Sequence, residues 1–139
     1  MTIYYVCDIL RIMNIKPEEL FSLLAHPLLL RTVLLLRQTP ELCVCDLTRV
    51  FRVAQPLMSR HLGQLRDAGA LVVRREGLWM HYRINPGLAP WAMSVIAETE
   101  RGLADKHPYR DDRAALESFG SAACPTRWHG REQSGEAVS

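Results

Sequence analysis

Between Gln55 and Leu103 the hydrophobic period changes twice, and this constrains the fold more than any other feature of the chain. Over residues 55–67, Met58, Leu62 and Leu65 fall at i, i+4 and i+7, one buried stripe of a helix. Leu71-Val72-Val73 and Leu78 to Ile84 are β-prone runs on either side of Glu76-Gly77, the pattern of a hairpin. Gly69 suits the residue just past a helix C-terminus. Asn85-Pro86-Gly87 stops the second run, and Leu88 to Leu103 returns to helical spacing.

Upstream, Pro17 presets φ for a first turn in which Glu18 and Glu19 meet the positive end of a helix running to Leu24. Pro27 opens a second helix to about Arg37, and Gln38-Thr39-Pro40 ends it. A short third helix is expected from Cys45 or Asp46 to Phe51, with Asp46 as its N-cap. Beyond about Lys106 the chain is polar, with scattered Pro and Gly, and reads as a loose tail. The resulting order is helix, helix, short helix, turn, helix, hairpin, helix. That is a mainly α chain with a β-hairpin wing, an α+β winged helix-turn-helix.

The formal charge of +2 names no partner by itself. Its distribution is more informative. From Arg49 to Arg83 there are seven arginines against Asp67 and Glu76, a net +5, whereas Glu100 to Ser139 sums to −1. The basic stretch covers the expected helix-turn-helix and wing. On the 55–67 helix, the face opposite the apolar stripe carries Gln55, Ser59, Arg60 and Gln64, with His61 at its margin. These side chains hydrogen-bond to base edges and phosphates, and such a helix fits a major groove. Arg74 and Arg75 stand just before the hairpin tip, in reach of the flanking DNA backbone or the minor groove.

Other classes fit poorly. Four unevenly spaced cysteines do not make a stapled secreted scaffold. The N-terminus lacks the pattern of a signal peptide, and the leucine-rich run Leu28 to Leu36 is broken by Arg31 and too short for a membrane span. A cytoplasmic protein with reduced thiols is expected.

Cys43-Val44-Cys45 stands out among the thiols. The spacing differs from a redox CxxC. A helix N-terminus favours thiolates, the form that binds soft metals. In a regular helix, residues i and i+2 point about 200° apart. Both sulfurs therefore grip one centre only if the backbone there is non-helical or becomes so, and binding would pull on the start of the helix that supports the DNA-reading one. A thiol-based enzyme lacks support, since no anion-binding loop flanks a nucleophilic cysteine. A redox-responsive regulator is a further alternative.

The run Glu41-Leu42-Cys43-Val44-Cys45-Asp46-Leu47, with Gln55-Pro56, Ser59-Arg60-His61-Leu62 and Leu65-Arg66, resembles the ArsR/SmtB family of metal-sensing repressors. Arg74-Arg75-Glu76-Gly77-Leu78-Trp79 and Tyr82-Arg83 look like that family's wing, and the ELCVCDL segment resembles its arsenic-responsive branch. The resemblance implies a homodimeric repressor of an arsenic-resistance operon. It would bind double-stranded operator DNA at an inverted repeat, with no cofactor, and leave it on taking up arsenite or antimonite. It adds Pro56 to the DNA-binding set, and the apolar face Leu88, Trp91, Val95, Ile96 and Leu103 to a dimer interface. Three positions depart from the family pattern: Thr48 replaces a frequent third cysteine, Ala54 a capping serine, and Leu57 a lysine.

As(III) or Sb(III) would be held by Cys43 and Cys45 with Cys124 as third thiolate, Cys7 being the alternative. A cadmium or lead sensor, using Cys7 from the N-terminal arm, and a sensor of methylated arsenic(III), needing only two thiolates, are the alternative inducer readings. The expected organisation is an N-terminal arm over 1–16, a winged domain over 17–105 and a tail over 106–139. Met13-Asn14-Ile15-Lys16-Pro17 reads like the usual family start, so residues 1–12 read as an extension ahead of it.

Overall fold

The computed structural model describes residues 4–5 and 15–119. Six helices and four strands are present among them. Helices α1 (Pro17–Leu24) and α2 (Pro27–Gln38) each begin with the proline that the sequence places there. His26 caps α2, its ring nitrogen accepting from the Leu28 N–H at 3.2 Å. Helix α3 (Val44–Phe51) is joined to α4 (Gln55–Asp67) by Arg52-Val53-Ala54, forming the helix-turn-helix. Arg52 makes the turn in the left-handed region (φ 57°), its N–H donating to the Thr48 carbonyl at 2.8 Å. Gly69 (φ 90°) follows α4 as the residue that only a side-chain-free position accommodates cheaply.

The hairpin consists of β3 (Leu71–Glu76) and β4 (Trp79–Ile84), turning at Gly77-Leu78. Two short strands flank it, β1 (Tyr4–Tyr5) against β3 and β2 (Leu42–Cys43) against β4, giving an antiparallel sheet of order β1-β3-β4-β2. Neither flanking strand was expected. Helix α5 (Pro90–Leu103) starts two residues after Leu88, on Ala89. No single described helix is long and apolar enough to cross a membrane.

The core gathers α2, α3, α4 and the hairpin around Val33, Leu47, Met58, Leu62, Leu65 and Leu71, each at most 1% exposed. The stripe Met58/Leu62/Leu65 thus faces inward, which turns the opposite face of α4 to solvent. Burying it removes on the order of 2 kcal/mol of apolar exposure per side chain.

The loose tail expected after Lys106 is corrected for residues 109–119. These form helix α6 (Tyr109–Phe119), packed on α2 and α3. Asp112 is buried because Arg31 of α2 donates to it twice, from Nε at 2.9 Å and Nη2 at 2.6 Å. That hydrogen bonding holds the Arg31 guanidinium above its ordinary value. Leu116 joins the core, and Arg49 of α3 lies over the Phe119 ring, 4.8 Å from its centroid.

Candidate nucleic-acid interface and thiol site

Helix α4 presents Gln55, Pro56, Arg60 and Gln64 exposed and Ser59 half-buried on one side. The helix begins without a side-chain cap, as Ala54 implies. His61 is corrected: it turns inward rather than lying at the edge of the polar face. It is 9% exposed, its ring stacks obliquely on His26 with centroids 4.6 Å apart, and Nδ1 lies 3.1 Å from the Gln64 Oε1. Arg75 is exposed beside the hairpin tip, its Nε donating to the Gly77 carbonyl at 3.3 Å.

Arg74 is the second correction. Strand alternation turns it to the opposite face from Arg75, where it is 7% exposed and engaged within the fold instead of standing free beside the hairpin tip. Its Nε donates to both Glu41 oxygens at 3.2 Å, and its terminal nitrogens pair with Glu41 and Glu76. Hydrogen bonding to Glu41 raises the Arg74 pKa against the opposing effect of burial. A charge count along the sequence treats both arginines alike. The signal that separates them is Glu41, which lies outside the basic stretch.

The thiol pair sits where β2 passes into α3. Cys43 ends β2 and is the N-cap of α3, in extended conformation (φ −90°, ψ 167°). Asp46 is not the N-cap. It occupies the third helical position and reaches back, its carboxylate accepting the Cys43 N–H at 3.1 Å. Because Cys43 precedes the helix, the 200° divergence of a regular helix does not apply. The sulfurs of Cys43 and Cys45 converge and are bonded to each other, and an Asp46 carboxylate oxygen lies within 4.8 Å of both. No unwinding is needed to bring them together. The Thr48 hydroxyl is engaged elsewhere, donating to the Cys45 carbonyl at 2.9 Å.

A cavity of about 420 Å³ opens beside the pair. Cys43, Cys45 and Thr48 line it together with Gln55 and Ser59 of α4 and Trp79 of the wing. Cys7 and Cys124 lie outside the described residues.

A helix-turn-helix with a three-residue turn, an exposed polar face on its second helix and a β-hairpin with an outward arginine together define a winged helix-turn-helix DNA-binding protein. Residues 27–71 match the signature of bacterial regulatory proteins of the arsR family. The arsenical resistance operon repressor of Escherichia coli is 46% identical over 90 residues, covering 65% of this chain and 77% of that protein. Two arsenic resistance transcriptional regulators of Pseudomonas putida, ArsR1 and ArsR2, are 42% identical over 91 residues and 41% over 85. These alignments cover 66% and 61% of this chain and 68% and 74% of the relatives. The chain belongs to the arsR family, in its arsenic-responsive branch.

Proposed function

We propose that this protein is the transcriptional repressor of an arsenic-resistance operon, a cytoplasmic homodimer and not an enzyme. It occupies an inverted-repeat operator when empty and leaves it when Cys43 and Cys45, as a reduced pair, take up trivalent arsenic or antimony. The observation that carries the reading is the convergence of the two sulfurs at the start of the helix-turn-helix, in a cavity also lined by Gln55, Ser59 and Trp79. Gln55, Pro56, Ser59, Arg60 and Gln64 meet the major groove, and Arg75 meets the adjoining backbone. Phe21 of α1 and Trp91 of α5, 53% and 39% exposed, support an apolar contact with a second copy.

Cys124 is the preferred third thiolate. Support comes from the position of α6: Phe119 lies against Arg49 of the thiol-bearing helix, and Cys124 follows five residues later. Five residues span up to roughly 17 Å. Cys7 is the alternative. A second reading, a singly substituted arsenic(III) species held by two thiolates, is favoured by the cavity beside the pair and by the engaged Thr48 hydroxyl.

The test is a titration of arsenite, antimonite, methylated arsenic(III), cadmium and zinc against the reduced protein on its own promoter DNA. Release by arsenite in excess reducing agent is expected. Release only by cadmium would overturn the arsenic assignment. Cys43→Ser should keep the operator and lose release; a variant that no longer binds DNA would show the thiols to be structural.

A further inference from the structure

The sheet carries a row of side chains from the thiol site into the wing. Cys43 of β2 lies opposite His81 of β4, and His81 opposite Arg74 of β3. Cross-strand partners share a sheet face, so all three point the same way. Glu41 completes the row. It is 4% exposed, paired with Arg74, and its Oε1 lies 3.8 Å from the His81 Nδ1. Burial, reinforced by the Arg74 charge, lowers the His81 pKa.

The recognition helix meets the thiol site across the cavity that Gln55 and Ser59 also line, and it packs on α3. It joins α3 through Arg52–Ala54, at the opposite end of α3 from Cys43 and about 12 Å away along the helix axis. Cys43, by contrast, is itself a strand residue paired to the wing.

We propose that Glu41 and Arg74, with His81 packed between the strands, are positioning residues that carry occupancy of the thiol pair to the wing and loosen its grip on DNA. The inference rests on the reading of Cys43 and Cys45 as the inducer site. A ligand held between the two sulfurs sets their separation and so shifts the backbone at Cys43. The β2–β4 pairing and the Glu41 carboxylate then displace β3 and β4, whose tip carries Arg75 and Trp79. A buried ion pair suits this task because it resists partial opening: separating it leaves a charge without compensation in a low dielectric. The interior around it is close-packed and passes a displacement on.

The test uses the reduced full chain, Glu41→Gln, and the double variant Glu41→Leu/Arg74→Met. The double variant replaces the buried pair with apolar groups of similar volume, a change that proteins generally tolerate. Arsenite binding to the free protein and operator affinity with and without arsenite are measured for each. Both variants should bind arsenite as the wild type does and hold the operator when empty. The wild-type loss of operator affinity on loading, about 5–150-fold for a typical coupling, should shrink to within about threefold.

An undiminished loss in the double variant overturns the proposal. So does a variant whose free protein no longer binds arsenite, because the cluster would then build the site instead of reading it. A wild-type protein that keeps its operator under saturating arsenite refutes the underlying inducer site, a result distinguishable from either.

Discussion

Arg74 and Arg75 are adjacent and chemically identical, yet one lies inside the sheet and the other faces solvent. Arg74 shares its face with Glu41 and His81 and is buried in their company. Arg75, one residue on, meets water and the space where a DNA backbone would pass. The difference follows from the two-residue period of a strand. It shows that positive charge on a DNA-binding wing can serve the fold or the ligand according to the parity of its position. The same division runs through α4, where Arg60 is exposed and His61 is turned in.

The sharpest way to break that comparison is to truncate the buried arginine. Arg74→Ala leaves the Glu41 carboxylate buried without its guanidinium, and removing one partner of such a pair costs about 3–5 kcal/mol of stability. Urea unfolding should show the loss as a lower midpoint with an unchanged slope. A loss below about 0.5 kcal/mol, the range of ordinary surface substitutions, would place Arg74 among the solvent-facing arginines after all.

Arg60→Ala should behave in the opposite way. Stability stays within about 0.5 kcal/mol of the wild type, while operator affinity falls by about 1–3 kcal/mol if the guanidinium reads a base. Competition binding with operator variants would show relaxed preference at one base pair in each half-site.

These contrasts also mark how far the fold could be read before the structure. Helices 17–24 and 55–67 end where Pro17, the Met58/Leu62/Leu65 stripe and Gly69 place their limits, because those signals are local. The position of the hairpin was legible for the same reason. Helix α6 was not. Its inward face is Asp112, Ala115, Leu116 and Phe119, a helical spacing that was present but opened by an aspartate, a residue type normally on the surface. Asp112 is buried only because Arg31, 81 residues away, pairs with it. Glu41 hid Arg74 in the same manner. At the thiol pair, residue types and spacing were legible, and the convergence of the sulfurs was not. It depends on Cys43 closing a strand against β4, a long-range pairing without a local signal.

Arg75→Ala tests the exposed arginine with a smaller effect. A lone phosphate contact carries no sequence information, so binding should weaken about equally on all DNAs. The slope of log affinity against log salt should fall by about one unit. A sequence-dependent loss would instead assign Arg75 a base contact in the minor groove.

The smallest effect is expected at the start of α4, where the two kinds of position meet. Ala54 offers no side-chain acceptor, and Pro56 at the second helical position has no N–H to satisfy, so the Leu57 N–H is the group a cap would serve. Ala54→Ser supplies that oxygen and should stabilise the free protein by about 1 kcal/mol, read as a midpoint roughly 3–5 °C higher. Operator affinity should stay within about twofold, because Gln55 and Arg60 keep their places and the new hydroxyl is turned to the helix. If affinity instead drops while stability rises, the Leu57 N–H is a phosphate donor in the complex, and the uncapped helix start belongs to the DNA interface.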